Sequence, residues 1–196
     1  LRKLETDYID LLLIHQAFGD YYGTYRAMQK ALEAGKVRAI GLSNFVDARF
    51  VDLVENMEVK PAVLQLETHV FSQQKRMREL MAPYGTRLMA WAPLAEGRNG
   101  IFTHPTLTAI GAKYGKTAAQ TALRFLMAED VIAIPKSVHR ERLVENFSID
   151  DFELSAEDLD AIRALDGGKP MFADFNDPTL AKFLLEYDAK FNPERQ

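Results

Sequence analysis

At 196 residues the chain has the length of a single domain. Its composition, 47% apolar and 27% charged, is ordinary for a globular protein, and 24 basic against 28 acidic residues leave a net charge of −4. That balance argues against a nucleic-acid or membrane-surface footprint. The absence of cysteine excludes a disulfide framework, a thiolate zinc site and a Cys nucleophile, and no apolar run approaches the ~18 residues that a membrane span needs.

In chain order, short apolar runs alternate with segments of helical period. Leu11-Leu12-Leu13-Ile14 halts at His15, and Tyr25, Met28 and Leu32 then share a helical face before a stop at Gly35. Val37–Leu42 ends on Ser43-Asn44, and Asp47 is placed to cap a helix burying Phe50, Leu53, Val54 and Met57. Val63–Leu66 ends at Glu67, followed by a face of Met77, Leu80, Met81 and Tyr84 before Gly85. Arg87–Trp91 ends at Ala92-Pro93, with two helices after it, Thr106–Tyr114 and Thr117–Ala128. Thr117 reads as the cap of the second, and Leu123, Leu126 and Met127 as its buried side. Val131–Ile134 stops at Pro135-Lys136, and helices follow over His139–Phe147 and Ser155–Leu165. Ser155 to Asp158 comes close to a capping box. Within the less regular tail, Leu180, Phe183, Leu184 and Tyr187 predict one more helix.

About five βα units in this order predict an α/β fold with a parallel sheet. A doubly wound nucleotide binder would carry a Gly-rich turn after an early strand, and neither that turn nor a Walker-type loop occurs. Instead each strand ends on polar residues, which is where a (β/α)8 TIM barrel keeps its active site. The prediction is therefore a parallel (β/α)8 TIM barrel.

Among those strand ends, His15 offers a proton or a hydrogen bond near neutral pH, or simply a core or capping imidazole. The other histidines, His69, His104 and His139, show no metal spacing and read as surface residues. Ser43 and Asn44 suit either a planar carboxamide or a turn with a helix cap. Lys136-Ser137 with Arg142, at a strand end and the start of a helix, suits a phosphate monoester or, equally, a solvated basic turn. Trp91 reads as a ring to stack on a ligand or as rim packing, and the Glu96–Gly100 loop as a rim cover or an ordinary turn.

Five strings, taken together, resemble the aldo-keto reductase family. They are Leu4-Glu5-Thr6-Asp7-Tyr8-Ile9-Asp10-Leu11 leading to Leu13-Ile14-His15, Gly35–Phe45, Gln65-Leu66-Glu67, Ala90-Trp91-Ala92-Pro93-Leu94, and Ile134-Pro135-Lys136-Ser137 with Arg142–Phe147. The look is nearest to the bacterial branch similar to 2,5-diketo-gluconate and methylglyoxal reductases. The resemblance implies an NADPH-dependent oxidoreductase that reduces aldehydes and ketones to alcohols. Hydride comes from the nicotinamide, and the proton from a Tyr assisted by a Lys and an Asp. By match, His15 is the histidine that orients the carbonyl. Ser43, Asn44 and Gln65 would hold the carboxamide, Trp91 would stack on the nicotinamide, and Ala92 and Leu94 would line the pyrophosphate path. Lys136, Ser137 and Arg142 would bind the 2′-phosphate, Glu145 and Asn146 would meet the adenine, and Val138 completes the cofactor set. His139 stands where relatives often carry Thr, so one hydroxyl contact is lost there. No metal is implied.

The family's Asp, Tyr and Lys precede the strand that ends at His15. The chain is therefore expected to supply strands four to eight, with residues 1–165 as the C-terminal portion of the barrel and 166–196 as a tail. Alone it is expected to be inactive. A non-catalytic NADPH-binding or interaction subunit, like those of potassium channels, is the rival, and an unstable fragment the third reading. The expected setting is cytoplasmic, as a monomer or homodimer, with a small carbonyl substrate and neither nucleic acid nor membrane as partner.

Overall fold

A computed structural model describes residues 1–191 of the chain. Its five strands are β1 (Ile9–Ile14), β2 (Val37–Ser43), β3 (Val63–Glu67), β4 (Arg87–Trp91) and β5 (Ile132–Ala133). They follow one another in sequence order across the sheet, and β1–β2, β2–β3 and β4–β5 pair in parallel. The helices are α1 (Tyr21–Glu33), α2 (Ala48–Asn56), α3 (Lys75–Met81), α4 (Pro105–Tyr114), α5 (Ala118–Ala128), α6 (Arg140–Phe147), α7 (Ala156–Arg163) and α8 (Pro178–Phe191). Contacts divide the chain into two compact units, one of residues 1–65, 77–86 and 172–191, the other of residues 66–76 and 87–171.

The first unit is organised by β1 and β2. Tyr25 and Met28 of α1 are buried, as are Phe50, Leu53 and Val54 of α2 and Ile40 and Leu42 of β2. Asp20 caps α1 through the amide of Gly23 at 2.7 Å, and the chain leaves the helix through Gly35 at φ 67°, a left-handed conformation that suits glycine. Mid-strand, Gly41 has no room for a side chain: a Cβ would meet Leu13 Cδ2 at 2.6 Å, Val63 Cγ2 at 2.7 Å and Val63 O at 2.8 Å. Asp47 occupies the cap position of α2 but does not cap it. Its φ of 47° turns the side chain away, and its Oδ2 accepts a hydrogen bond from Asn176 Nδ2 at 2.8 Å.

The second unit buries Leu88 and Ala90 of β4, Ile110 of α4, and Ala122, Leu123, Phe125 and Leu126 of α5. Leu123 packs with Ile149 and Phe152 in its core. Thr117 and Gln120 form a reciprocal capping box at the start of α5, so two otherwise orphaned amides are satisfied. Met127 is 42% exposed rather than buried. The face that packs is centred on Ala122, Leu123 and Leu126, and Met127 lies about 100° further round. Strand β5 is two residues long, shorter than the Val131–Ile134 run, because Ile134 precedes Pro135 and prolines have no ladder N–H to give.

At the start of α7, Ser155 caps through Asp158 N, while the Asp158 side chain turns to Lys113 and Tyr114. Tyr114 Oη donates to Asp158 Oδ2 at 2.6 Å and accepts from the Ser155 amide at 3.2 Å. Burial works to raise the Asp158 carboxyl, but the donors from Lys113 and Tyr114 prevail and hold it below the usual carboxylate range.

His69 is fully buried, not a surface residue. Its Nδ1 accepts the Phe71 amide at 3.2 Å, which leaves Nε2 to carry the proton and donate to Glu67 Oε1 at 3.1 Å. The same carboxylate oxygen accepts the Met171 amide, and Gln74 Nε2 donates to the Glu67 carbonyl at 2.7 Å. His104 is partly buried, with an Nδ1 that is buried and unpartnered. His139, at the start of α6, is exposed as expected.

Candidate functional site

The predicted site residues fall into two groups, one in each unit. In the first unit, β1 ends at His15, whose side chain is exposed and whose carbonyl accepts from Asn44 Nδ2 at 3.2 Å. Asn44 Nδ2 also reaches Gln16 Oε1 at 3.4 Å, and its own amide donates to the Gln65 carbonyl at 2.9 Å. These bonds join the ends of β1, β2 and β3 and hold Asn44 at φ 62°, a left-handed conformation that Asn tolerates better than most residues. Beside it, the Ser43 hydroxyl is buried without a hydrogen-bond partner. A buried hydroxyl left unsatisfied costs about 1–3 kcal/mol. Such a group calls for an explanation, and a bound polar ligand supplies one.

In the second unit a cleft of about 660 Å³ opens after β5. It is lined by Leu94, Lys136, Ser137, Val138, Arg142, Glu145 and Asn146 from the predicted set, together with Phe102, Thr117, Ala119 and His139. Pro135 ends the strand, so Lys136–His139 leaves the sheet as a loop and turns into α6. Ser137 Oγ accepts the His139 amide at 3.0 Å and sets that turn. Neither Lys136 nor Arg142 is ion-paired among the described residues. Two uncompensated cations, a hydroxyl and the first amides of α6 make a wall suited to a phosphate group.

The opposite side of the cleft is more constrained. Glu145 Oε1 accepts from Thr117 Oγ1 at 2.6 Å, and Gln120 Nε2 donates to the carbonyls of Glu145 at 3.2 Å and Ser148 at 2.9 Å. The cap of α5 therefore fixes the last turns of α6 and aims a carboxylate. Trp91 and Ala92 close β4 in the same unit but do not line this cleft. Ala92 has φ 51°, and its carbonyl accepts the Ala95 amide at 2.8 Å, which begins the Ala95–Thr103 loop.

Phe102 and Thr117 escaped the sequence reading. Thr117 had a visible signal as a cap, but its second bond depends on a residue 28 positions away. Phe102 sits in a polar, glycine-containing loop, and nothing local marks it as lining a cleft. Among the described residues no group of three or more His, Cys, Asp or Glu is placed to hold a metal ion, and no helix is long and apolar enough to cross a membrane.

Comparison with known proteins adds the family. A model described as "Aldo/keto reductase family" matches residues 1–167. The glyoxal reductase of Bacillus subtilis (strain 168) is 43% identical over 166 residues, covering 84% of this chain and 59% of that protein. The methylglyoxal reductase DkgA of Escherichia coli (strain K12) is 34% identical over 177 residues, covering 89% of this chain and 64% of that protein. Among solved structures, MGS-M4, an aldo-keto reductase enzyme from a Medee basin deep-sea metagenome library, superposes with a TM-score of 0.85 at 39% identity, covering 90% of this chain and 67% of that one. A mutant of Gox0644 in complex with NADPH gives 0.84 at 34% identity, covering 89% and 65%. The chain spans about three fifths of the length of the curated relatives it matches. Its five-stranded α/β sheet and these matches show that the chain belongs to the aldo/keto reductase family.

Proposed function

We propose that the chain takes part in NADPH-dependent reduction of small aldehydes and ketones, and that the cleft after β5 receives the phosphorylated end of the cofactor. The observation that carries the reading is the pair of unpaired cations, Lys136 and Arg142, facing one cleft with Ser137. Bound there, NADPH would supply the hydride. Lys136 and Arg142 would neutralise its 2′-phosphate, Ser137 would donate to it, Val138 would pack beside it, and Glu145 and Asn146 would meet the adenine. Ala92 and Leu94 would flank the pyrophosphate.

The nicotinamide end falls to the other group. The unpartnered Ser43 hydroxyl fits a carboxamide, with Asn44 and Gln65 beside it in sequence and register. Trp91 would stack on the ring, and His15 would orient the carbonyl oxygen by a hydrogen bond. We assign the five strands to positions four to eight of a (β/α)8 barrel, residues 1–165 to the barrel and 166–196 to its tail. We place the protein in the cytoplasm, as a monomer or homodimer.

Binding without turnover is the second reading, and four tyrosines held in hydrogen bonds favour it for this chain taken alone. Tyr22 donates to Asp52 at 2.6 Å, Tyr25 to the Val59 carbonyl at 3.0 Å and Tyr114 to Asp158 at 2.6 Å, while Tyr84 bonds Glu55. The Asp52 bond pushes Tyr22 up to about 12, burial raises Tyr25, and the Glu55 bond raises Tyr84. A proton donor working near neutral pH needs the opposite shift. Titrating the 196-residue chain with NADPH, read by the quench of its single tryptophan, should give saturable binding, and NADPH oxidation with methylglyoxal should be absent. A chain that does not bind NADPH would overturn the cofactor reading, and robust turnover would overturn the second.

A further inference from the structure

Among the described residues three basic side chains line the cleft after β5: Lys136, Arg142 and His139. His139 stands in the cap position of α6, which Ser, Thr, Asp and Asn ordinarily fill because their side chains can bond the first helical amides. Its imidazole makes no such bond. Nor is it packed, since the side chain is 52% exposed. The backbone, in contrast, is tied on both sides. Ser137 Oγ accepts the His139 amide at 3.0 Å, and the Leu143 amide donates to the His139 carbonyl at 3.1 Å. A fixed backbone with an unpacked, uncapping ring leaves the imidazole to serve the cleft it lines.

On its own helix, Glu141 Oε1 lies 3.7 Å from His139 Nδ1, which leaves Nε2 open to another oxygen. Lys136 and Arg142 share the wall, and Glu145, the carboxylate that also lines the cleft, is bonded to Thr117 through Oε1. The loop after β4 and the start of α5 bring Leu94, Phe102, Thr117 and Ala119 to the cleft, none of them titratable. A dianion set among Lys136, His139 and Arg142 is held more tightly by a charged ring than by a neutral one, so binding and protonation support each other. Among histidine, lysine and arginine, only the imidazole ordinarily changes charge between pH 5 and 8.

Resting on the reading of this cleft as the site of the cofactor's 2′-phosphate, we propose that His139 is its third cation, charged only on the acid side of neutrality, and that it makes the preference for the phosphorylated dinucleotide rise as pH falls. Lys136 and Arg142 supply a constant attraction, and His139 adds one that depends on pH. The regulation belongs to binding and is read without turnover.

Isothermal titration of the full 196-residue chain with NADP+ and with NAD+ tests this, because the oxidised pair differ in the same phosphate and survive acid. The phosphate takes up its own proton near pH 6. That change belongs to the ligand and is common to every chain, so the readout is the ratio of wild type to variant at one pH. At about pH 6 the wild type should bind NADP+ roughly three- to five-fold more tightly than His139→Gln, the worth of one exposed charge pair. At about pH 8.5 the two should agree, and NAD+ should not distinguish them at either pH. His139→Lys, charged throughout, should match the wild type for NADP+ at the lower pH and exceed it at the higher. If the wild type binds NADP+ but its ratio to His139→Gln is the same at both pH values, or NAD+ shows the same gap, the role of His139 is wrong and the cofactor cleft survives. If the wild type binds neither dinucleotide, the cleft reading and the role of His139 fall together.

Discussion

Thr117 Oγ1 donates to Glu145 Oε1 at 2.6 Å while accepting the Gln120 amide at 3.2 Å. One hydroxyl thus closes the N-terminus of α5 and orients a carboxylate of the cleft. Local helix chemistry and site geometry share an atom, and damage to one is damage to the other.

Thr117→Val keeps the shape and removes both bonds. It should lower stability by about 1 kcal/mol, the usual worth of a side-chain cap, and Thr117→Ser should restore it. Urea midpoints of the three chains read this directly. Equal midpoints for wild type and Val would show that the Gln120 side chain holds the helix end without its partner.

Arg142→Ala should weaken NADPH by about ten-fold while leaving NADH nearly unchanged, since an exposed phosphate contact contributes ~1–2 kcal/mol. Fluorescence titration with each dinucleotide supplies the comparison, and the ratio rather than either affinity is the readout. An equal loss for both would move Arg142 from the phosphate to some shared part of the cofactor.

Alkaline stability follows from two tyrosines. Burial raises Tyr25, and the Asp52 bond raises Tyr22 to about 12, both above the value near 10 of an unfolded chain. A group raised in the folded state contributes stability that is complete below the unfolded value and is lost as pH climbs toward the folded one. Denaturant midpoints should therefore be flat up to about pH 10 and fall above it. Tyr25→Phe should cost about 1 kcal/mol at neutral pH through the lost bond to the Val59 carbonyl, and should fall less steeply above about pH 10. Parallel curves for the two chains would exclude Tyr25 as the titrating group.

Much of this fold was legible because buried parallel strands and amphipathic helices write different periods. Tyr25 with Met28, and Phe50 with Leu53 and Val54, are buried as their spacing predicts. Met127 misled because it adjoins Leu126 in sequence while pointing a third of a turn away. Asp47 misled because capping depends on a backbone angle that its residue type does not disclose. His69 held a signal that was passed over. Glu67 and His69 are two residues apart at a strand end, where alternation points them the same way, and a carboxylate beside an imidazole can satisfy both inside a core. At the cleft, Lys136 and Arg142 announced themselves by charge, and Ser137 by its hydroxyl at the strand end. Phe102 did not, since a lone phenylalanine in a loop looks the same whether it is packed or presented.

Gly41 has a reach beyond its own position. Of the three atoms that crowd its missing Cβ, Leu13 Cδ2 ends a flexible side chain, Val63 Cγ2 sits on a stiff β-branched one, and Val63 O belongs to the backbone of β3 and yields only if the strands part. The same ladder runs on to Ser43 opposite Gln65 and to the Asn44 amide on the Gln65 carbonyl. A single added methyl at residue 41 would therefore be felt two and three residues downstream, as a change in the gap between polar groups it never touches. The spacing of that strand end is set by an empty volume, a gauge block made of nothing.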